Sequence, residues 1–273
     1  MFSSLTAGAL AQDNWLELKG SHFIVYYGRG LKDFAIAVLR KAEKDYRSLA
    51  DYLGYARYSR FWTWDNRVKI YIYPDRKTYL QLTGEPAWSA GVASYDRKEI
   101  VSFAWSDNFL EFLLPHEITH LMFRDFVGFK GEVPLWLDEG VAQWAEVARR
   151  KQIKSQMWQL ARQPALLPLK DMMGLDVAGI RGSEMVTIRS LGPEGVVRTG
   201  YIRGQDLVGL YYLQAASLVG FLIEKYGADN FTVFCRELRD GKTLEDALRA
   251  TYPRKLENLS DLEREWLEYI KTW

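Results

Sequence analysis

The hydrophobic period of this chain changes once, after Ser106, from two to about three and a half. Before that point lie "WLELKGSHFIVYYGRG" (15–30), "RVKIYIYP" (67–74) and "GVASYDRKEIVSF" (91–103). These runs alternate and are rich in β-branched and aromatic residues, so they predict strands. Pro74 stops the second, and Asp96-Arg97-Lys98 turns the third into a hairpin. His22, at the turn into "FIVYY", reads as structural. A helix over 31–55, ending near Gly54, and a short one over 75–84 separate the strands. After Ser106 the spacing predicts a helix to Gly128, capped by Ser106 or Asp107. Inside it Pro115 should kink the axis or open a new first turn. A second helix begins behind Pro134 and runs on to about residue 153. Glycines at 174, 179, 182, 192, 195, 200 and 204 predict a long loop. Helices follow at 206–227, 229–241, 243–252 and 258–273. Strands first and helices later mean α+β rather than alternating βαβ.

A length of 273 residues suffices for one large domain or two intimate ones. A net charge of +1 gives no argument for a nucleic-acid partner or a charged membrane surface. No apolar stretch reaches the length of a membrane span, and "RRKQIK" (149–154) reads as a solvated helix face. The lone Cys235 excludes an intrachain disulfide and a cysteine-based metal site, and its apolar context predicts a buried thiol. "SSLTAGALAQDNW" ends in Ala-Leu-Ala before Gln12, as the end of a signal peptide does, although it has no basic start and only a short apolar core. The expectation is a leader remnant over 1–14 and export, periplasmic or extracellular, ahead of the cytoplasm.

Two of the three histidines fall in "LLPHEITHLMF" (113–123). Residues four apart share one helix face, so His116 and His120 can converge on one metal ion. Glu117 lies to the side of that face and can reach a water without being a ligand, the division of labour a zinc hydrolase needs. The competing reading is a core helix that carries two histidines by chance. The full pattern arises so in well under ~1% of comparable chains. Two buried, unpaired imidazoles would also be costly to desolvate. A catalytic zinc needs a third protein ligand, and no third histidine is well placed. "WLDEGVAQW" supplies Glu139, with 18 residues between it and His120. Asp138 is the local competitor; it points roughly a quarter turn away, so only one of the two faces the metal.

His116-Glu117-Ile118-Thr119-His120, an 18-residue gap, and Glu139 within "WLDEGVA" together resemble the gluzincin metallopeptidases. The likeness is to the bacterial peptidase-MA-like group, and more distantly to the M1 aminopeptidases and thermolysin. It is strongest over 113–145 and weaker over 67–112 and 206–227. The resemblance implies one zinc per chain, bound by His116, His120 and Glu139, and a peptide or protein substrate; charge and apolar run length add the expectation of no nucleic-acid partner and no membrane span. It also implies an α+β, thermolysin-like zincin domain: a small N-terminal mixed sheet with helices, then a mainly helical half. On that scheme 15–145 is a sheet-plus-zinc-helix catalytic subdomain, and 146–273 is a helical subdomain completing the cleft. M1 enzymes place an oxyanion-stabilising tyrosine at the head of a later helix. Tyr212 starts the matching register with Tyr211 beside it, and a plain core tyrosine is an equal reading.

Two departures stand out. The Gly-x-Met-Glu-Asn segment of M1 aminopeptidases is replaced by "WSAGVASY", so exopeptidase action is not implied. Gln143 stands where thermolysin-like sites have an aspartate that orients a histidine. The expected function is peptide hydrolysis by a metal-activated water, with Glu117 as general base. An extended peptide would pair along the 91–103 hairpin. Two alternatives stay open: a zincin-fold binding or assembly protein of little activity, and a zinc hydrolase of a non-peptide bond. Retention of Glu117 argues against the first. The 174–204 stretch reads equally as a lid or a surface connection.

Overall fold

The computed structural model describes residues 15–54, 62–85, 89–104, 109–129, 133–193 and 195–273. The expected leader remnant and the expected cap at Ser106 or Asp107 lie outside these. The chain divides into two compact units, Met1–Arg124 and Asp125–Trp273.

In the first unit, β1 (Leu16–Lys19) and β2 (Phe23–Tyr27) form an antiparallel hairpin. His22 sits in its turn. Its backbone N–H donates to Glu43 Oε1 at 2.8 Å, its Nδ1 lies 2.7 Å from Glu43 Oε2, and its ring stacks on Tyr46 at 3.9 Å. That is the structural role expected of it. Helix α1 (Lys32–Tyr52) buries Ala35, Val38, Ala42, Tyr46 and Leu49, one apolar stripe at helical spacing. Strand β3 (Val68–Tyr73) leads to α2 (Arg76–Thr83). The Asp75 side chain caps α2 by accepting from the Thr78 N–H at 2.8 Å, and Gly84 at φ +71° ends it. Then come β4 (Gly91–Ser94) and β5 (Glu99–Phe103), joined by a turn in which Lys98 has φ +51°.

The sheet order is β1-β2-β3-β5-β4. Its centre, β2-β3-β5, is parallel, and both outer pairs are antiparallel. It is the small mixed sheet expected. Within it, parallel β2 and β3 are linked through α1 as a βαβ unit. Parallel neighbours need a crossover, and a single helix supplies it. Phe23, Val25, Val68, Ile70 and Ile72 on alternate positions are fully buried.

A wide π-type turn (Phe109–Leu113) changes to α geometry at the start of α3 (Leu114–Val127). Pro115 follows at once. It has no N–H to continue the preceding ladder, so the helix is re-registered there. The division between the two units falls inside α3.

The second unit has α4 (Leu135–Ala145) behind Pro134, then α5 (Val147–Leu160). The expected single helix is broken at Glu146, which has φ −69° and ψ +83°. Its buried carboxylate accepts from Arg149 at 3.2 Å, and Arg150 Nε donates to the Trp144 carbonyl at 2.7 Å. Lys154 pairs with Glu224 at 2.9 Å. The basic run is therefore a set of tethers rather than a purely solvated face. After α6 (Leu169–Met173) the expected loop is corrected to an antiparallel ribbon, β6 (Met185–Leu191) with β7 (Val197–Arg203), in a register seven pairs long. Gly195 at φ +76° helps turn it.

The rest is α7 (Gly204–Tyr226), α8 (Ala228–Arg239), α9 (Leu244–Thr251) and α10 (Leu259–Ile270), close to the expected spans. Helix α7 also corrects the reading that no stretch is long enough to span a membrane. It has 23 residues and is apolar enough, but 72% of its most apolar window is buried inside the protein. Its charged residues sit at the ends, Asp206 at the start and Glu224 and Lys225 at the close, while mid-helix Gln214 and Ser217 are buried and hydrogen-bonded, Gln214 to the Leu167 backbone. Helix α4 meets it closely at two glycines. A Cβ on Gly140 would stand 2.6 Å from the Ala215 carbonyl oxygen, and one on Gly220 would stand 2.6 Å from the Trp144 ring. Cys235 on α8 is fully buried, and burial pushes its thiol well above the ordinary range.

Candidate metal centre

On α3, Leu114, Ile118, Leu121, Met122 and Phe123 are buried, while His116, Glu117 and His120 are half-buried on the remaining face. The four-residue spacing puts His120 Nε2 3.1 Å from His116 Nε2, with the rings edge-on at 84°. Thr119, also buried, is satisfied within the helix: its Oγ1 donates to the Pro115 carbonyl at 2.6 Å. That carbonyl opens the turn carrying the first histidine. Burial pushes the nearby Tyr79 phenol up to about 12, against the lowering effect of its hydrogen bond with Ser89; the charges of Glu85 and Glu117 add to the rise.

On α4, Asp138 is buried and Glu139 is half-buried. Next to Glu139, Gly140 lets the helix approach α7 at backbone distance. One ligand atom each from His116, His120 and Glu139 lie within 4.8 Å of one another. Asp138 does not enter this group.

The donor set fits zinc. Two imidazole nitrogens and a carboxylate oxygen are the ligands of a catalytic site that leaves one position open. Two nitrogens on one tetrahedral zinc would stand about 3.3 Å apart, given Zn–N bonds of about 2.0–2.1 Å. The 3.1 Å between His116 Nε2 and His120 Nε2 is close to this. Without an ion, the same spacing allows one ring to donate to the other.

Tyr211 and Tyr212 open the middle of α7, their rings edge-on with centroids 5.5 Å apart. Tyr211 is buried and Tyr212 is half-buried. Burial raises the Tyr212 phenol, and the Glu139 charge raises it further. Burial also raises Tyr211, with Tyr212 and Glu139 adding to it. Both phenols thus stay neutral donors in the field of Glu139. Gln143, one turn after Glu139 on α4, is buried. Its amide carries no charge to offer a histidine.

Two features of this region have no clear signal in the sequence. Gly140 follows Glu139 and reads there only as a helix weakener; its use is the close approach to Ala215 and Val219. The other is a group of hydroxyls around the start of β4. Tyr79 Oη lies 2.7 Å from Ser89 Oγ, Ser89 Oγ donates to the Gly91 carbonyl at 3.3 Å, and Ser102 Oγ donates to the Ala90 carbonyl at 2.7 Å.

Residues 179–272 match the family model of the Peptidase MA superfamily. The matched segment begins beyond Glu139 and includes Tyr211 and Tyr212. No curated protein sequence matches the chain. Among solved structures it is similar to yeast LTA4 hydrolase in complex with bestatin, at 14% identity and a TM-score of 0.47, over 90% of this chain and 37% of that one. It is also similar to native leukotriene A4 hydrolase from Saccharomyces cerevisiae, at 14% identity and a TM-score of 0.48, over 93% of this chain and 39% of that one. The chain therefore spans less than two fifths of the length of those proteins. The family match thus covers about the last third of the chain, and the His-Glu-x-x-His segment with its downstream glutamate, which resembles the gluzincin motif, precedes it.

Proposed function

We propose that this protein is a zinc-dependent peptidase. The observation that carries the reading is the approach of His116, His120 and Glu139 donor atoms to within 4.8 Å, with Glu117 next to the first of them. His116, His120 and Glu139 would hold the ion. When bound, zinc acidifies a water and polarises a carbonyl. Glu117 accepts a proton from the attacking water at its carboxylate and delivers it to the leaving nitrogen. Tyr212, a neutral and partly exposed phenol, donates a hydrogen bond to the oxygen that gains charge. Tyr211 is too buried for that role and supports the helix. The peptide lies extended along β4, the outermost strand in the order β1-β2-β3-β5-β4.

The test has two parts. Metal analysis of the purified full chain should give about one zinc per protein, and His120→Ala should abolish it. A mixed peptide library followed by mass spectrometry should show cleavage by the zinc-loaded protein. Glu117→Gln should lose that cleavage while keeping the zinc. No metal at saturating zinc would overturn the site; metal without cleavage of any peptide would leave the site and overturn the peptidase.

A further inference from the structure

The strand assigned to substrate is held by side chains far from the metal ligands in sequence. Ser102 is fully buried, and its hydroxyl donates to the Ala90 carbonyl at 2.7 Å. Ser89 is buried, and its Oγ donates to the Gly91 carbonyl at 3.3 Å. A serine hydroxyl has one proton. With that proton directed to Gly91, the 2.7 Å contact with Tyr79 has the phenol as donor. The result is a relay from Tyr79 Oη to Ser89 Oγ to the Gly91 carbonyl. Tyr79 is itself fully buried on α2, so the relay is anchored in the core with Tyr73, Val101 and Phe103.

Gly91 is pressed from another side. A Cβ there would lie 2.8 Å from Leu113 Cδ2 and 3.1 Å from the Val101 carbonyl oxygen. Leu113 is the last residue of the π-type turn, three residues before His116. The first residue of β4 is thus wedged against the chain entering the metal helix. It is also tied by hydroxyls to the core. The ladder with β5 supplies backbone bonds along the strand, and the buried hydroxyls add side-chain ties at its start.

We propose that Tyr79, Ser89 and Ser102 are positioning residues for an extended peptide substrate, acting through the backbone of Ala90 and Gly91. This inference rests on the peptidase reading above and adds to it the device that fixes the peptide-pairing strand. None of the three hydroxyls touches the substrate. Their work is to hold β4 in one place before the peptide arrives, so that little ordering is left for binding. Contacts with a ligand that does not run along the strand are independent of them.

The experiment uses the full zinc-loaded chain and two probes. One is a tetrapeptide hydroxamate, which has a zinc-binding group and a backbone that can pair with a strand. The other is acetohydroxamate, which has the same group and no backbone to pair. Affinities are measured by calorimetry for the wild type, Tyr79→Phe, Ser89→Ala and Ser102→Ala. Each variant should bind the tetrapeptide hydroxamate about fivefold more weakly, the scale of one net hydrogen bond. Acetohydroxamate affinity and zinc content should be unchanged. Amide hydrogen exchange over 89–94 should speed up in the same variants. Equal losses for both probes would mean a general structural role and overturn the inference, and so would no loss for either. If the wild type takes up zinc and binds acetohydroxamate but not the tetrapeptide, the metal site stands and the strand assignment fails. If the wild type takes up no zinc, the metal-site reading fails first and the inference falls with it.

Discussion

The two edges of the five-stranded sheet are built on different principles. Strand β1 reads Leu-Glu-Leu-Lys, and Lys19 pairs with Glu17 at 2.7 Å with about half of each side chain in solvent. Strand β4 reads Gly-Val-Ala-Ser and has neither charge nor proline. An exposed edge presents unpaired backbone groups, and charged side chains are a common guard against unwanted pairing. One edge of this sheet has that guard and the other lacks it. The unguarded edge is also the one anchored by Tyr79, Ser89 and Ser102. A strand that only had to end the sheet would need neither an uncharged edge nor rigid placement. Both together suit a strand that accepts a partner.

The strongest way to break this contrast is at Gly91. Gly91→Val would drive side-chain atoms into Leu113 and the Val101 carbonyl and should cost about 2–3 kcal/mol, read from urea unfolding. Leu16→Val on the exposed β1 edge should stay within about 0.5 kcal/mol. Equal effects would erase the distinction. Next in size, Val92→Lys places on β4 the guard it lacks. It should weaken the tetrapeptide hydroxamate several-fold and leave zinc content alone, whereas Glu17→Ala with Lys19→Ala should not move that affinity. Removing the guard from β1, as Glu17→Val with Lys19→Val, should produce concentration-dependent association in sedimentation runs. A monomeric double variant would show that its charges guard nothing. The smallest effect is stability lost in Glu17→Ala, below about 0.5 kcal/mol and smaller still at high salt, because the pair is exposed and screened.

What the chain discloses before folding depends on how local the determinant is. The pair His116 and His120 was legible because a four-residue spacing fixes one helix face whatever surrounds it. The approach of Glu139 was legible from the gap, which lets one helix finish and another begin. Strands β2, β3 and β5 and helices α7 to α10 followed from period alone. The ribbon β6–β7 was missed because its glycines suggested a loop, while most of its residues face solvent and blur the alternation. The break at Glu146 has no proline or glycine to announce it; it depends on Arg149 and on the tie from Arg150 to the Trp144 carbonyl. The hydroxyls on β4 were beyond reach for a related reason. Ser89 is ten residues from Tyr79, Ala90 is twelve from Ser102, and the contacts exist only once α2 and strands β4 and β5 have come together.

The buried thiol of Cys235 has a consequence of its own. It is fully enclosed on α8, and burial suppresses the thiolate that alkylating reagents need. With a single cysteine in the chain, every labelling event marks a moment when that helix has opened. The native sequence therefore contains a clock for the breathing of its second unit, readable by mass without any engineered tag.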